Sequence, residues 1–126
     1  MDDAPLLIDH PRAGIARLLL NRPQRHNALD GALVDALHTA VDAEREHVIV
    51  LGSAGSGRFC GGADTSLGDA ERAAVSDALY HLYASILELP RPVLAALDGP
   101  AIGGGLQLAI SCDLRIAAPA ARSTCA

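Results

Sequence analysis

Two unbroken apolar runs, Val48-Ile49-Val50-Leu51 and Val93-Leu94-Ala95-Ala96-Leu97, are each followed by glycine-rich sequence and then by a helical pattern. Continuous rather than alternating runs predict strands covered on both faces, and their alternation with helices predicts an α/β fold rather than a bundle or a sandwich. The opening reads as a hairpin, with Leu6 to Ile8 and Ile15 to Leu20 extended and Pro11 and Gly14 turning the chain between them. Leu29, Leu33, Ala36, Leu37, Ala40 and Val41 share one helix face, and Asp30 is placed to cap that helix. Val75, Leu79, Leu82, Ile86 and Leu89 form a second stripe, which Pro90-Arg91-Pro92 ends. Gly103-Gly104-Gly105 opens a short apolar helix, Leu106 to Ser111, and Leu114 to Ala118 reads as a further strand. Without internal repeats or linkers, residues 1–126 read as a single domain.

Composition narrows the function. The charge is −5, from 15 acidic and 10 basic residues, and every basic residue is an arginine, so a Schiff-base or catalytic lysine is excluded. The arginines are scattered singly, which argues against nucleic acid. The apolar runs fall far short of the ~20 residues needed to cross a bilayer. The acidic start Met1-Asp2-Asp3-Ala4 reads as neither a signal nor a transit peptide, and three cysteines, an odd number, speak against a disulfide framework, so a reducing cytoplasm is the expected location. Cys60, Cys112 and Cys125 form no CxxC pair, and the histidines, His10, His26, His38, His47 and His81, show no metal-ligand spacing. No metal is expected, and the histidines read as surface or ordinary polar groups. The abundance of alanine and arginine hints at a GC-rich bacterial source.

Gly52 and Gly57 match the start of a phosphate-binding loop, but Arg58 and Phe59 stand where that loop needs lysine and a hydroxyl. A different use suits both glycine-rich loops. Glycine lets a ligand approach the backbone closely, and the helix opening at Gly104 leaves N–H groups free at its positive end. One such group from each loop could meet a single carbonyl oxygen and stabilise it as it becomes an enolate. The blander alternative is that the glycines serve tight turns and close helix–strand packing. A nucleophilic Cys60, activated by His26 or His81, is a weaker candidate.

The residues themselves resemble the crotonase family, the enoyl-CoA hydratase/isomerase superfamily. The matching segments are Leu20-Asn21-Arg22-Pro23 through Asn27-Ala28-Leu29, then Val48 to Gly52 with Phe59-Cys60-Gly61-Gly62-Ala63-Asp64. Pro90-Arg91-Pro92-Val93, Asp98-Gly99, Ala101-Ile102-Gly103-Gly104-Gly105 and Cys112-Asp113-Leu114-Arg115-Ile116-Ala117 follow in the family's order. The resemblance implies a crotonase-like stacked ββα superhelix that binds an acyl-CoA thioester, needs no cofactor beyond the CoA of its substrate, and assembles as a homotrimer or hexamer. Its implied chemistry is enoyl-CoA hydration or double-bond isomerisation in fatty acid metabolism. By motif position, Ala63 and Gly104 would donate to the thioester carbonyl, with Gly62 and Gly103 beside them. Arg25, His26, Ala28, Asp64 and Thr65 match places that contact CoA, although Asp64 could instead hold its own loop through backbone hydrogen bonds.

The pattern breaks in two places. Hydratases of this family carry a glutamate where this chain has Gln107, and an amide orients water but cannot act as a base near neutral pH. The ending Arg122-Ser123-Thr124-Cys125-Ala126 also departs from the family. The expectation is a chain truncated before the family's second catalytic glutamate and its C-terminal helices, exposing apolar surface that those helices would cover. The alternative function is a catalytically inactive crotonase-like fragment or a CoA-binding or interaction subunit.

Overall fold

The computed structural model describes residues 3–55, 57–119, 121 and 123–124; the C-terminal readings that involve Arg122, Cys125 and Ala126 lie outside them. β1 (Leu6–Arg12) and β2 (Ile15–Leu20) form the expected hairpin. β1 runs past Ile8 and includes Pro11, because it is an edge strand whose pairing is interrupted between Asp9 and Arg12, where a missing N–H is tolerated. A short 3-10 turn (Pro23–Arg25) leads to α1 (Gly31–Ala43), and the Asp30 carboxylate accepts from Leu33 N–H at 3.0 Å as its N-cap.

β3 (Val48–Ser53), α2 (Asp69–Leu87), β4 (Val93–Leu97), β5 (Ala101–Ile102), α3 (Gly104–Ser111), β6 (Leu114–Ala117) and β7 (Ser123–Thr124) follow. α2 stops before Leu89 because the residue ahead of Pro90 is driven out of helical conformation. The main sheet has the order β1-β2-β3-β4-β6 and is parallel from β2 onward, and β5 and β7 form a second, smaller sheet. The bridge between Cys60 and Ala101 extends that smaller layer into the loop after β3. Successive turns therefore place a long strand in the main sheet and a short one in the second layer before the helix. This is the expected stacked ββα arrangement.

The core lies on one face of the main sheet. Leu18, Leu20, Ile49, Leu51, Val93 and Ala95 meet Leu33, Leu37 and Val41 of α1 and Leu79, Leu82 and Ile86 of α2, with Phe59 and Leu108 closing the end. The expectation of strands covered on both faces does not hold. β3 and β4 alternate, with Val48, Val50, Leu94 and Ala96 only half-buried, because α1 and α2 both pack on the opposite face. Leu114 and Ile116 on β6 are exposed, as are Leu87 and Ile110.

Candidate functional site

Both glycine-rich loops leave the carboxyl ends of parallel strands, so the sheet brings them to one edge. They are bonded to each other there. Phe59 and Cys60 N–H donate to Pro100 O at 3.1 and 3.2 Å, and Ile102 N–H donates to Cys60 O at 3.0 Å. The Ser53 hydroxyl donates to Asp98 Oδ1 at 2.7 Å. Gly52, half of the superficial phosphate-loop match, is buried within β3.

The segment Arg22 to Leu29 packs along the first loop. Gly61 N–H donates to His26 O at 2.8 Å, Leu29 N–H to Gly62 O at 2.8 Å, and Asp64 N–H to Leu29 O at 2.9 Å. Leu29 thus bonds to the residues flanking Ala63. Among the described residues, neither Ala63 N–H nor Gly104 N–H has a backbone acceptor. Gly104 N lies 3.8 Å from the position a β-carbon on Gly62 would take, which sets the two loops side by side. Gly62 itself has φ +91°, and a β-carbon there would stand 2.9 Å from Ile102 O, so only glycine fits.

The blander reading of the glycines holds at Gly105, where a β-carbon would sit 2.6 Å from Cys60 Cβ; this residue lets α3 close onto the first loop. Gly104 is different. Its carbonyl accepts from the Tyr83 hydroxyl at 2.9 Å, and burial pushes the Tyr83 pKa up to about 12, so the phenol remains a donor at neutral pH. Gln107 lies one turn on in α3 and is exposed.

Arg25, His26, Ala28, Ala63, Asp64 and Thr65 line one cleft of about 470 Å³, with Gln24, Arg58, Gly61 and Ile102. The fold therefore brings together most of the residues expected to contact CoA; Gly62, Gly103, Gly104 and Gln107 are not part of that lining. Asp64 is buried, and its side chain holds the loop. Its carboxylate accepts from the Ser66 hydroxyl at 2.6 Å, Ser66 N–H at 2.9 Å, Arg25 at 3.1 Å and Arg22 at 3.3 Å. These hydrogen bonds, those from Ser66 first, hold its pKa well below the usual carboxylate range against the opposing effect of burial. Such a carboxylate is a poor proton acceptor.

Three residues organise the site in ways that the sequence reading did not assign to them. Arg22 donates to Ala28 O and reaches both Asp64 and Asp30. Asn27 is buried at φ +54°; its side-chain Oδ1 accepts from Arg22 N–H at 2.7 Å and its side-chain Nδ2 donates to Phe59 O at 3.0 Å. Tyr83 is the third. Asparagine tolerates a left-handed backbone, so an Asn in a short polar link between strand and helix is the signal that could have marked Asn27. Arg22 stands within the family-like segment without a role of its own being legible there, and nothing in the local pattern marks Tyr83.

The nucleophilic reading of Cys60 fails. The thiol is buried, donates to Asn27 O at 3.1 Å, and has its pKa raised to about 11 by burial. His81 bonds to Asp77 O on its own helix, and His38 to the Ser85 hydroxyl. His10 and His47, by contrast, converge on Glu44, which their separation in sequence does not announce.

Paired loops at one sheet edge, on stacked strand-and-helix turns, define a crotonase fold. The chain belongs to the enoyl-CoA hydratase/isomerase family, whose model matches residues 10–126. It is 46% identical over 113 residues to a probable enoyl-CoA hydratase of Mycobacterium leprae, covering 84% of this chain and 45% of that protein. The crystal structure of an enoyl-CoA hydratase from Bacillus anthracis superposes with a TM-score of 0.88 at 30% identity, over 94% of this chain and 49% of that one. A monofunctional enoyl-CoA isomerase from M. smegmatis superposes at 0.80 with 34% identity, over 95% and 53%. The chain thus spans about half the length of these relatives.

Proposed function

We propose that this chain carries the carbonyl-binding half of an acyl-CoA site, with Ala63 and Gly104 N–H as the paired donors and the Arg25–Thr65 cleft receiving part of the CoA. The observation that supports this reading is that, among the described residues, Ala63 N–H and Gly104 N–H both lack backbone acceptors and lie on loops hydrogen-bonded to each other. Polarising a thioester carbonyl makes the α-proton more acidic and the conjugated β-carbon more electrophilic, as both isomerisation and hydration require. Excess crotonyl-CoA is expected to raise the thermal unfolding midpoint, since a ligand that binds only the folded chain must stabilise it. A cooperative transition that does not move at millimolar ligand overturns the reading.

A second reading, binding without catalysis, is favoured by what stands at two of the expected site positions. Gln107 offers only an amide, and Asp64 is committed to its clamp. Gln107→Glu separates the two readings. Hydration of crotonyl-CoA that appears or rises at least about tenfold in this variant identifies a competent scaffold lacking its base; no gain in a variant that still binds the thioester favours the binding reading.

A further inference from the structure

At the opposite end of the sheet, away from the glycine-rich loops, three potential metal ligands come together from separate elements. His10 lies on the edge strand β1, Glu44 caps the C-terminus of α1, and His47 stands immediately before β3. His10 Nε2 is 2.9 Å from Glu44 Oε1, and His47 Nδ1 is 3.1 Å from Glu44 Oε2. The three ligand atoms all lie within 4.8 Å of one another. His47 Nδ1 is enclosed, yet it has no hydrogen-bond partner of acceptable geometry among the described residues.

We propose that His10, Glu44 and His47 form a binding site for a borderline divalent transition metal, Zn²⁺ above all, distinct from the acyl-CoA site. Two imidazoles and one carboxylate are the donor set that zinc and its neighbours prefer over calcium or magnesium, and three protein ligands leave a fourth position for water. Tetrahedral zinc, with bonds of about 2.0–2.1 Å, holds its ligand atoms about 3.3 Å apart. The three ligand atoms, all within 4.8 Å of one another, would draw in by no more than about 1.5 Å to reach that spacing. Glu44 is largely covered while the His10 and His47 side chains remain 49% and 36% exposed, so the ion has a path in from solvent. The two described thiols do not compete for the ion: burial raises the pKa values of Cys60 and Cys112 to about 11 and 12, which keeps both as poor ligands. A bound metal would tie the edge strand to the α1–β3 turn.

The test is calorimetric titration of the chelator-treated, tag-free chain with ZnCl₂, in a Cys125→Ser background, with Co²⁺ absorption reporting imidazole ligation. The expected result is one zinc per chain with a dissociation constant below about 100 μM, and a rise in unfolding midpoint with excess zinc. His10→Ala and Glu44→Gln should each weaken binding at least about tenfold, whereas His81→Ala should not. Circular dichroism confirms that each variant is folded, and Glu44→Gln keeps the shape of the site should His10→Ala disturb the edge. No binding tighter than about 100 μM, or binding by His10→Ala and Glu44→Gln as tight as by the parent, overturns the proposal and leaves the cluster as an imidazole–carboxylate network.

Discussion

In a full-length version that turns over an enoyl-CoA thioester, proline at position 104 is expected to lower turnover by about 10²–10³-fold, the usual cost of losing one oxyanion donor. Gly104 is the first residue of α3, where proline is well tolerated because its missing N–H has no intrahelical partner. The substitution therefore removes the proposed donor without breaking the helix. A β-carbon at this position meets Leu29 Cδ1 at 3.2 Å and the Tyr83 hydroxyl at 3.5 Å, so packing is also touched. Gly104→Ala distinguishes the causes, since it adds the β-carbon and keeps the N–H. Steady-state kinetics, with the red shift of a conjugated dienoyl-CoA on binding as a direct measure of carbonyl polarisation, provides the readout. An unchanged rate and an unchanged red shift in folded Gly104→Pro would remove Gly104 from the site, while equal losses in the alanine variant would assign the effect to packing.

Asp64→Ala is expected to destabilise the fold by about 3 kcal/mol, the lower end of the cost of stranding one partner of a buried ion pair. Most of this comes from Arg22 and the Ser66 donors. The Arg25 side chain is 46% exposed, so its pairing contributes less than about 1 kcal/mol and Arg25→Ala should be correspondingly mild. The pH dependence follows from the depressed pKa. Asp64 stabilises the native chain fully above its unfolded value of about 3.9, and this contribution fades as pH falls below that value toward the lower native one. Denaturant melts at pH 7 and pH 3 should therefore show a smaller acid-induced loss in Asp64→Ala than in the parent. Equal losses would mean that the carboxylate is not held by its clamp.

The helices and main-sheet strands were legible because each follows from local chemistry, whereas the two-residue strands β5 and β7 exist only through their pairing with each other. Asp30 caps α1 as its type and place predict, and Pro90 ends α2 within two residues of the expected position. The two apolar runs are strands, but their unbroken pattern overstated their cover: composition cannot tell a buried face from one that merely tolerates apolar residues. The candidate site was legible only through motif resemblance, which pointed to Ala63, Gly104 and the cleft residues. It could not tell the two uses of neighbouring glycines apart. Gly105 is required by contact with Cys60, 45 residues earlier, and that contact exists only once α3 has docked on the first loop.

By itself, the sequence determined the order and type of the three helices and of the main-sheet strands, the absence of a lysine, and the replacement of a carboxylate by the Gln107 amide. These are properties of composition and short-range pattern, set by propensity, capping and periodicity within a few residues. The tertiary structure decided what each polar group does. It turned Asp64 inward onto Ser66, Arg22 and Arg25, buried the Cys60 thiol beyond use, placed the Tyr83 hydroxyl on Gly104, and gathered His10, Glu44 and His47 from three elements. Hydrogen bonding and desolvation act over a few ångströms in space, and only the parallel stacking of the strands brings such distant positions within that range.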